Sequence, residues 1–384
     1  MEFNTKIVDF IRELYQTNEF IPLHAPIFQG GEKDLVCQTI DSTFVSSVGE
    51  FVDQLEESIC EYTGSKYAIA VVNGTAALHL SLLAVGVSQN QEVITQPLSF
   101  VATCNAINYC GASPVFIDVD LDDMGLSPTL MQKWLEANAS IKANQCINKN
   151  TGKVISACVP MHSFGHPCKI DLIKQVCDQW NIRLVEDAAE SLGSFYKGKH
   201  TGLIGDVAAI SFNGNKIITT GGGGIILTQN KQLAQKLKHQ STTAKLPHPW
   251  EYNHDDVGFN YRMPNLNAAL GCAQLSQLSY FLENKRELSE QYSHFFKSHA
   301  DIKFISEPVD AISNYWLNCV LFPNRLQRDE FLRYSNDQGV MTRPAWTLLN
   351  ELPMYRDSPV GDLTNAKKLV DRLVSIPSSV RNFS

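Results

Sequence analysis

A single lysine, Lys216, precedes four consecutive glycines in SFNGNKIITTGGGGIILTQN, the stretch from 211 to 230. A phosphate loop has a strand before its glycines, a helix after them, and Lys and Ser or Thr directly behind the last glycine. Here β-branched runs stand on both sides of Gly221–Gly224, which predicts a turn between two strands. The chemistry is therefore predicted to lie in Lys216, as an amine that burial makes nucleophilic; a surface lysine at a turn is the alternative.

Other residues able to do chemistry follow short apolar runs. Gly74 and Thr75 open a predicted helix, where free N–H groups and a hydroxyl would bind an anion or serve only as a cap. Asp187 ends another run beside a second acid, and such acids either meet a cation or are solvated at the rim of a sheet. Phe100 is a core residue or a platform for a flat ligand.

The runs that must position these residues alternate with longer amphipathic ones. We predict strands at AIAVV (68–72), EVITQ (92–96), SPVFIDV (113–119), VISACVP (154–160), IRLVED (182–187), DVAAISF (206–212), IITT (217–220) and IILT (225–228). We predict helices at 75–85, 100–109 and 170–180, and one from Pro128 with Ser127 as its N-cap. This alternation predicts an α/β fold with a mostly parallel sheet sandwiched by helices, whose site lies at the carboxyl ends of the strands.

The pattern changes near residue 257, where we predict a domain boundary. Residues 1–257 would form a large α/β domain, with a helical extension at 1–20. Residues 258–384 would form a smaller C-terminal α+β domain, in which 265–296 is one long helix or a closely spaced pair.

Composition narrows the classes of function. The net charge of −8 argues against a nucleic-acid-binding protein. No apolar run is long enough for a membrane span, and the N-terminus lacks the features of a signal peptide. The ten cysteines form no CxxC pair, which predicts reduced thiols in a cytoplasmic protein, and no zinc site is expected at His162 and His166.

Taken together, the strand ends supply an anion site, a carboxylate, an aromatic ring, small residues and a lysine. This is the set of groups that holds pyridoxal 5′-phosphate (PLP): a phosphate anchor, a partner for the pyridine nitrogen, a platform for the ring and an amine for the Schiff base.

The sequence also resembles the DegT/StrS-type nucleotide-sugar aminotransferases, which are PLP enzymes of fold type I. The resemblance extends from about Ile21 to the end of the long helix and more loosely beyond it. It is carried by VGEFVDQLEESICEYTGSKYAIAVVNGTAALHLSL, ITQPLSFVATCNAINYCGASPVFIDVD, VPMHSFGHP, LVEDAAESLGS, SFNGNK and GFNYRMPNLNAALG, in this order and spacing.

The resemblance implies a role for each matching residue. Lys216 would form the Schiff base with PLP and move protons, and Asp187 would pair with the pyridine nitrogen. Phe100 would stack on the ring with Ala189 beneath it, while Gly74, Thr75 and Ser211 would hold the phosphate. Asn260 would reach the phosphate of a neighbouring subunit, which implies a homodimer with shared active sites. The candidate substrate contacts are His162, Arg343 and Trp346, together with the loop 242–258; His162 could equally be a residue that packs a loop.

Three positions, in two segments, depart from the family's pattern. Glu190 stands where His or Gln is common near the cofactor, and Asn265 and Asn267 stand where Asp or Glu and Gln are common. Relatives with histidine at the lysine position are dehydratases, so Lys216 favours transamination.

The expected reaction transfers the amino group of glutamate, through PLP and its pyridoxamine form, to a nucleotide-linked keto sugar. The branch that this chain resembles implies a UDP-linked 4-keto-6-deoxy-N-acetylhexosamine on the way to legionaminic-acid or bacillosamine-type surface sugars. The alternatives are a PLP-dependent sugar dehydratase and a non-catalytic binding or regulatory relative.

Overall fold

The protein is described here by a computed structural model that covers residues 2–298 and 301–381. Its strands are β1 (Tyr67–Val71), β2 (Glu92–Thr95), β3 (Ser113–Phe116), β4 (Ala139–Lys142), β5 (Gln145–Asn148), β6 (Ile155–Val159), β7 (Arg183–Asp187), β8 (Phe195–Tyr196), β9 (Lys199–His200), β10 (Val207–Ser211), β11 (Gly224–Thr228), β12 (Lys303–Phe304), β13 (Ala311–Ile312), β14 (Asn318–Leu321), β15 (Arg343–Pro344) and β16 (Leu373–Ile376).

Its helices are α1 (Glu2–Tyr15), α2 (Glu32–Asp41), α3 (Glu50–Thr63), α4 (Gly74–Ala84), α5 (Val101–Tyr109), α6 (Pro128–Asn138), α7 (Ile170–Gln179), α8 (Lys231–Ser241), α9 (Asn265–Leu275), α10 (Leu278–Lys297), α11 (Arg325–Asp337) and α12 (Thr364–Val370). Single 3₁₀ turns lie at Ser163–Gly165, Leu349–Glu351 and Pro353–Tyr355. No described helix is both long and apolar enough to cross a membrane.

The main sheet has seven strands in the order β1-β11-β10-β7-β6-β2-β3. The strands from β10 to β3 pair in parallel, and β11 is antiparallel to both of its neighbours. Along β1, Ile69 and Val71 pack with α4, α5 and α8, while Ala68 and Ala70 pack with α3 and α9. The sheet is therefore covered by helices on both faces, as the sequence predicts for a mostly parallel sheet.

Most predicted elements are confirmed within a few residues, including the N-cap of α6, where Ser127 Oγ accepts from Leu130 N at 3.3 Å. Residues 265–296 form a pair of helices, α9 and α10. The strand predicted at IITT (217–220) is wrong, and the glycines after it do not join two strands. The side chains of Ile217 and Ile218 are buried in the core while their backbone stays irregular, held by side-chain amides such as Asn267 Nδ2, which donates to Thr220 O at 2.7 Å.

A second sheet of four strands, in the order β12-β14-β16-β15, is formed by residues after 300. Residues of α1, among them Ile7 and Ile11, share one hydrophobic cluster with α10, α11 and this sheet. The predicted division of the chain at residue 257 stays a prediction. All ten cysteines carry free thiols, and most are buried.

Candidate active site

A cavity of about 310 Å³ opens where the main strands end. Because β1 and β10 are both antiparallel to β11, the carboxyl ends of β1, β10, β7, β6 and β2 lie at one edge of the sheet. The predicted site residues that line the cavity are Gly74, Thr75, Phe100, Asp187, Ala189, Glu190, Ser211, Lys216 and Trp346. A larger groove, of about 1120 Å³, runs along α1 and α10 and contains none of these residues.

One end of the cavity is formed by the N-terminus of α4. Asn73 caps this helix, since its Oδ1 accepts from Ala76 N at 2.8 Å. The N–H groups of Gly74 and Thr75 have no hydrogen-bond acceptor among the residues that the structure describes. A Cβ at Gly74 would lie 2.9 Å from Cβ of Ser211, so only glycine lets the helix come this close to β10. Free N–H groups, two hydroxyls and the helix dipole make this end an anion site.

Asp187 ends the buried strand β7 and supplies the only carboxylate at the floor of the cavity that has no ion pair among the described residues. Its Oδ2 accepts from Thr103 Oγ1 at 2.7 Å, and its Oδ1 accepts from Ala189 N at 3.2 Å. Burial raises the pKa of Asp187, while these hydrogen bonds and the charge of Lys216 oppose the rise. An enclosed carboxylate of this kind favours a cationic partner in the cavity.

Lys216 extends from the irregular segment after β10 into the same cavity. Its Nζ lies 3.2 Å from Oε1 of Glu190 and 3.8 Å from the ring centroid of Trp316. The Trp316 ring is fixed in turn, because its Nε1 donates to Asn215 O at 2.6 Å. Burial raises the pKa of Glu190 to about 7, although the charge of Lys216 opposes this shift. The amine therefore lies between a carboxyl group and an aromatic face, with most of its surface shielded from water.

Aromatic side chains line the open part of the cavity. Phe100 precedes α5 and remains half exposed. Trp346 lies edge-on to Phe100 with centroids 6.5 Å apart, and stacks on Phe164 at 4.7 Å and 7°. The rings of Phe100 and Trp346 give the cavity of Lys216 flat apolar walls, which are suited to a planar cofactor and an extended substrate.

Three predicted site residues do not line this cavity. His162 is fully buried: its Nδ1 accepts from Cys168 N at 3.2 Å, and its Nε2 lies 3.0 Å from Oε2 of Glu186. The backbone N–H of His162 donates to the backbone oxygen of Asp187 at 3.1 Å, which fixes the loop after β6 to the end of β7. Arg343 is exposed and bonds to Asn336 Oδ1 and Thr342 O, and Asn260 is exposed and accepts from Arg262.

The sequence reasoning missed several residues of the cavity, above all Trp316 and Thr103. Trp316 lies just before β14, a strand of the second sheet, and nothing in the motif spacing links it to Lys216. Thr103 lies three residues beyond Phe100, on the first turn of α5. A residue on the first turn of a helix that follows a strand lies near the ends of the neighbouring strands. This position could therefore have indicated the contact between Thr103 and Asp187.

These residues fit the PLP that the resemblance implies. The cavity offers N–H and hydroxyl donors for a phosphate at α4, an unpaired buried carboxylate for a basic ring nitrogen, and an amine for an aldehyde. A side chain at Gly74 would clash with Ser211, so this glycine lets α4 approach β10 at the phosphate end.

Comparisons with known proteins agree with this chemistry. The sequence model of the DegT/DnrJ/EryC1/StrS aminotransferase family matches residues 27–382. GDP-perosamine synthase from Escherichia coli O157:H7 is 36% identical over 339 residues, which cover 88% of each chain. EpsN from Bacillus subtilis, provisionally named a pyridoxal phosphate-dependent aminotransferase, is 34% identical over 335 residues, which cover 87% of this chain and 84% of EpsN.

Among solved structures, the aminotransferase TlmJ from Streptoalloteichus hindustanus superposes with a TM-score of 0.84. The match covers 93% of each chain at 25% identity. The fold and the chain length are thus shared with proteins of this kind over nearly the whole molecule.

Proposed function

The chain belongs to the DegT/DnrJ/EryC1/StrS aminotransferase family, whose enzymes use PLP, and from this premise we propose that it transfers the amino group of glutamate to C4 of a nucleotide-linked 4-keto sugar. The observation that carries this proposal is the position of Lys216 Nζ in a cavity that also holds a buried carboxylate and a helix N-terminus.

Each residue then has a task that its surroundings support. The N–H groups of Gly74 and Thr75, with the hydroxyls of Thr75 and Ser211, hold the phosphate. Asp187 keeps the pyridine nitrogen protonated, because a nearby anion favours the charged form. Thr103 and the backbone of Ala189 hold the Asp187 carboxylate in place.

Bound PLP supplies a carbonyl carbon that reacts with amines and a ring that accepts an electron pair. Lys216 would hold this carbon through its Nζ, and as a free amine it would act as general base and acid for the substrate proton. Trp316 presents its ring face to Nζ at 3.8 Å and excludes water from that side of the amine. Phe100 and Ala189 border the space for the ring.

For the sugar, we propose the UDP-linked 4-keto-6-deoxy-N-acetylhexosamine that the sequence resemblance implies, in surface-polysaccharide biosynthesis. A GDP-linked keto sugar is the second candidate, because several relatives are named GDP-perosamine synthase. Trp346 remains a candidate substrate contact, since it lines the cavity.

A substrate screen tests the function. The purified protein is incubated with glutamate and a panel of UDP-linked and GDP-linked 4-keto sugars, and 2-oxoglutarate and the sugar product are both measured. We expect one 2-oxoglutarate for each amino sugar formed. Loss of oxygen from the sugar without stoichiometric 2-oxoglutarate would instead identify a dehydratase. Borohydride reduction followed by peptide mapping is expected to find the pyridoxyl group on Lys216.

We also propose the homodimer with shared active sites. Support comes from large exposed side chains near Asn260: Trp250 and Tyr252, in the loop 242–258, are 76% and 78% exposed in the single chain. A mixture of Lys216→Ala and Asn260→Ala chains tests the sharing. If Asn260 serves its neighbour's site, the mixed dimer has one intact site and regains activity that neither variant has alone. A co-expressed mixture as inactive as its parents would contradict the shared site.

A further inference from the structure

Glu190 is a buried acid whose task is not defined by the roles proposed above. The residue is 2% exposed, and both carboxyl oxygens are engaged: Oε1 lies 3.2 Å from Lys216 Nζ, and Oε2 accepts from Phe164 N at 2.8 Å. The carboxyl group therefore cannot turn away from the amine without losing a second contact. Glutamate, unlike glutamine, can accept a proton at this position.

The other titratable groups that face Glu190 do not compete for this proton. Asp187 lies three residues before Glu190, at the end of β7, and its negative charge raises the pKa of Glu190 further. Cys319 faces Glu190 from β14, and burial, with a contribution from Glu190, raises the pKa of its thiol to about 12. The thiol is therefore neutral near pH 7. Among the described residues, Lys216 is the proton donor within reach.

We propose that Glu190 and Lys216 share one proton, which moves from Nζ to Oε1 when Lys216 becomes a nucleophile and returns when Lys216 is released. In the forward direction the N–H bond breaks, its electron pair stays on nitrogen, and a lone pair of the carboxylate forms the O–H bond. The charged pair becomes a neutral acid and a neutral amine, so the step needs no other reactant. This inference rests on the proposed function of Lys216 and gives Glu190 a catalytic role beside it.

Burial lowers the free-energy cost of such a transfer relative to the same transfer in water. A charged pair loses the solvation that water would give it, whereas the neutral pair does not require that solvation. The pKa of Glu190, raised to about 7, places the protonated and ionised forms close in free energy near neutral pH. The two groups are 3.2 Å apart, so they titrate as a pair rather than singly.

The test uses the full-length protein from which the cofactor has been removed, and follows the absorbance of PLP as it is taken up between pH 6 and pH 10. Wild type is compared with Glu190→Gln, which keeps the shape but cannot take the proton, and with Glu190→Asp, which keeps a titratable carboxyl. We expect Glu190→Gln to slow uptake about tenfold or more at pH 7. The difference should shrink at high pH, where the amine loses its proton to water, and Glu190→Asp should recover part of the rate.

A second readout does not involve the cofactor. Between pH 4.5 and about 7, Glu190 binds more protons in the folded protein than in the unfolded chain. Its contribution to the free energy of unfolding is therefore present at low pH and is lost as the pH rises through about 7. The melting temperature of wild type should therefore fall relative to that of Glu190→Gln across this window.

Glu56→Gln is the matched control, because Glu56 is a partly buried acid with a raised pKa that pairs with Lys238 at 2.7 Å, away from the cavity. This variant should change the pH dependence of stability and leave PLP uptake unchanged. Equal uptake rates and equal pH profiles for wild type and Glu190→Gln would overturn the proton-sharing pair. Failure of wild type itself to attach PLP at Lys216 would overturn the proposed function instead.

Discussion

Two lysines contact the same tryptophan in regions of opposite character. Lys216 lies in the cavity with its Nζ over the Trp316 ring and a carboxyl group 3.2 Å away. Lys285 lies in the middle of α10, fully buried, and donates to the backbone oxygens of Trp316 and Ser378. No acid forms an ion pair with Lys285 in the described part of the chain.

The comparison shows that a shifted pKa does not by itself identify a reactive lysine. Burial lowers the pKa of Lys285 from 10.5 to about 7, so a neutral amine is readily available there. Yet its two bonds to backbone oxygens join α10 to the segments before β14 and after β16, and it lines neither the active-site cavity nor the groove along α1 and α10. Lys216 has space for a reactant and an acid that can exchange a proton with it. Access to a cavity and a neighbouring acid, rather than a shifted pKa, distinguish the lysine that we propose to be catalytic from the buried structural one.

The largest expected effect separates these two lysines by function. Lys216→Ala should lower kcat by at least about 10³-fold, because it removes both the covalent attachment and the proton carrier. Its melting temperature should stay close to that of wild type, since Lys216 fills a cavity rather than the core. Steady-state kinetics and thermal unfolding measure the two quantities. Substantial residual transamination would mean that another group carries the proton.

Lys285→Ala should show the reverse pattern. Truncation leaves a cavity in the core and two buried carbonyl oxygens without this donor, which should lower the free energy of unfolding by about 3 kcal/mol. Denaturant unfolding checks this value, and the kcat of the folded enzyme should fall far less than in Lys216→Ala. If Lys285→Ala were as stable as wild type but inactive, the assignment of the two roles would be wrong.

The pH dependence of stability sharpens the contrast further. Between pH 7 and 10.5 the unfolded chain binds more protons at Lys285 than the folded chain, so the stability of wild type should rise with pH in this window. Relative to Lys285→Met, which fills a similar volume without titrating, we expect a gain of about 1 kcal/mol per pH unit. Denaturant unfolding of both proteins at pH 7, 8 and 9 measures this gain in stability. A constant difference between the two proteins would mean that Lys285 stays charged in the fold.

The smallest expected effect concerns the tryptophan itself. Trp316→Leu removes the ring face beside Nζ and should cost about 1 kcal/mol of transition-state stabilisation, or roughly fivefold in kcat/KM. Trp316→Phe keeps an aromatic face and serves as the control, with a smaller loss. Both variants keep the backbone oxygen that Lys285 contacts, so neither should reproduce the instability of Lys285→Ala. Equal kinetics for the Leu and Phe variants would show that the ring contributes shape alone.

Local patterns indicated most of the main sheet and the residues at its strand ends. Asp187 and Ser211 each end a parallel strand, and Gly74 follows β1, so alternation of strands and helices was enough to predict that they meet. The same reasoning failed at 217–220, because β-branched residues are equally suited to a buried irregular segment. Amide side chains of α9, remote in sequence, hold that segment in place.

By itself, the sequence determined the sheet, the edge at which its strands end, and a lysine there whose motif matches a family of PLP enzymes. It singled out Lys216 by its motif but gave no sign that Lys285, which also follows an asparagine, is buried against the same tryptophan as Lys216. Only the tertiary structure decided which acid lies beside Lys216 and which tryptophan both lysines contact. The physical reason is that Trp316 and Lys285 come from the last third of the chain, and the contact that places Trp316 against Lys216 depends on packing between two sheets rather than on any local periodicity.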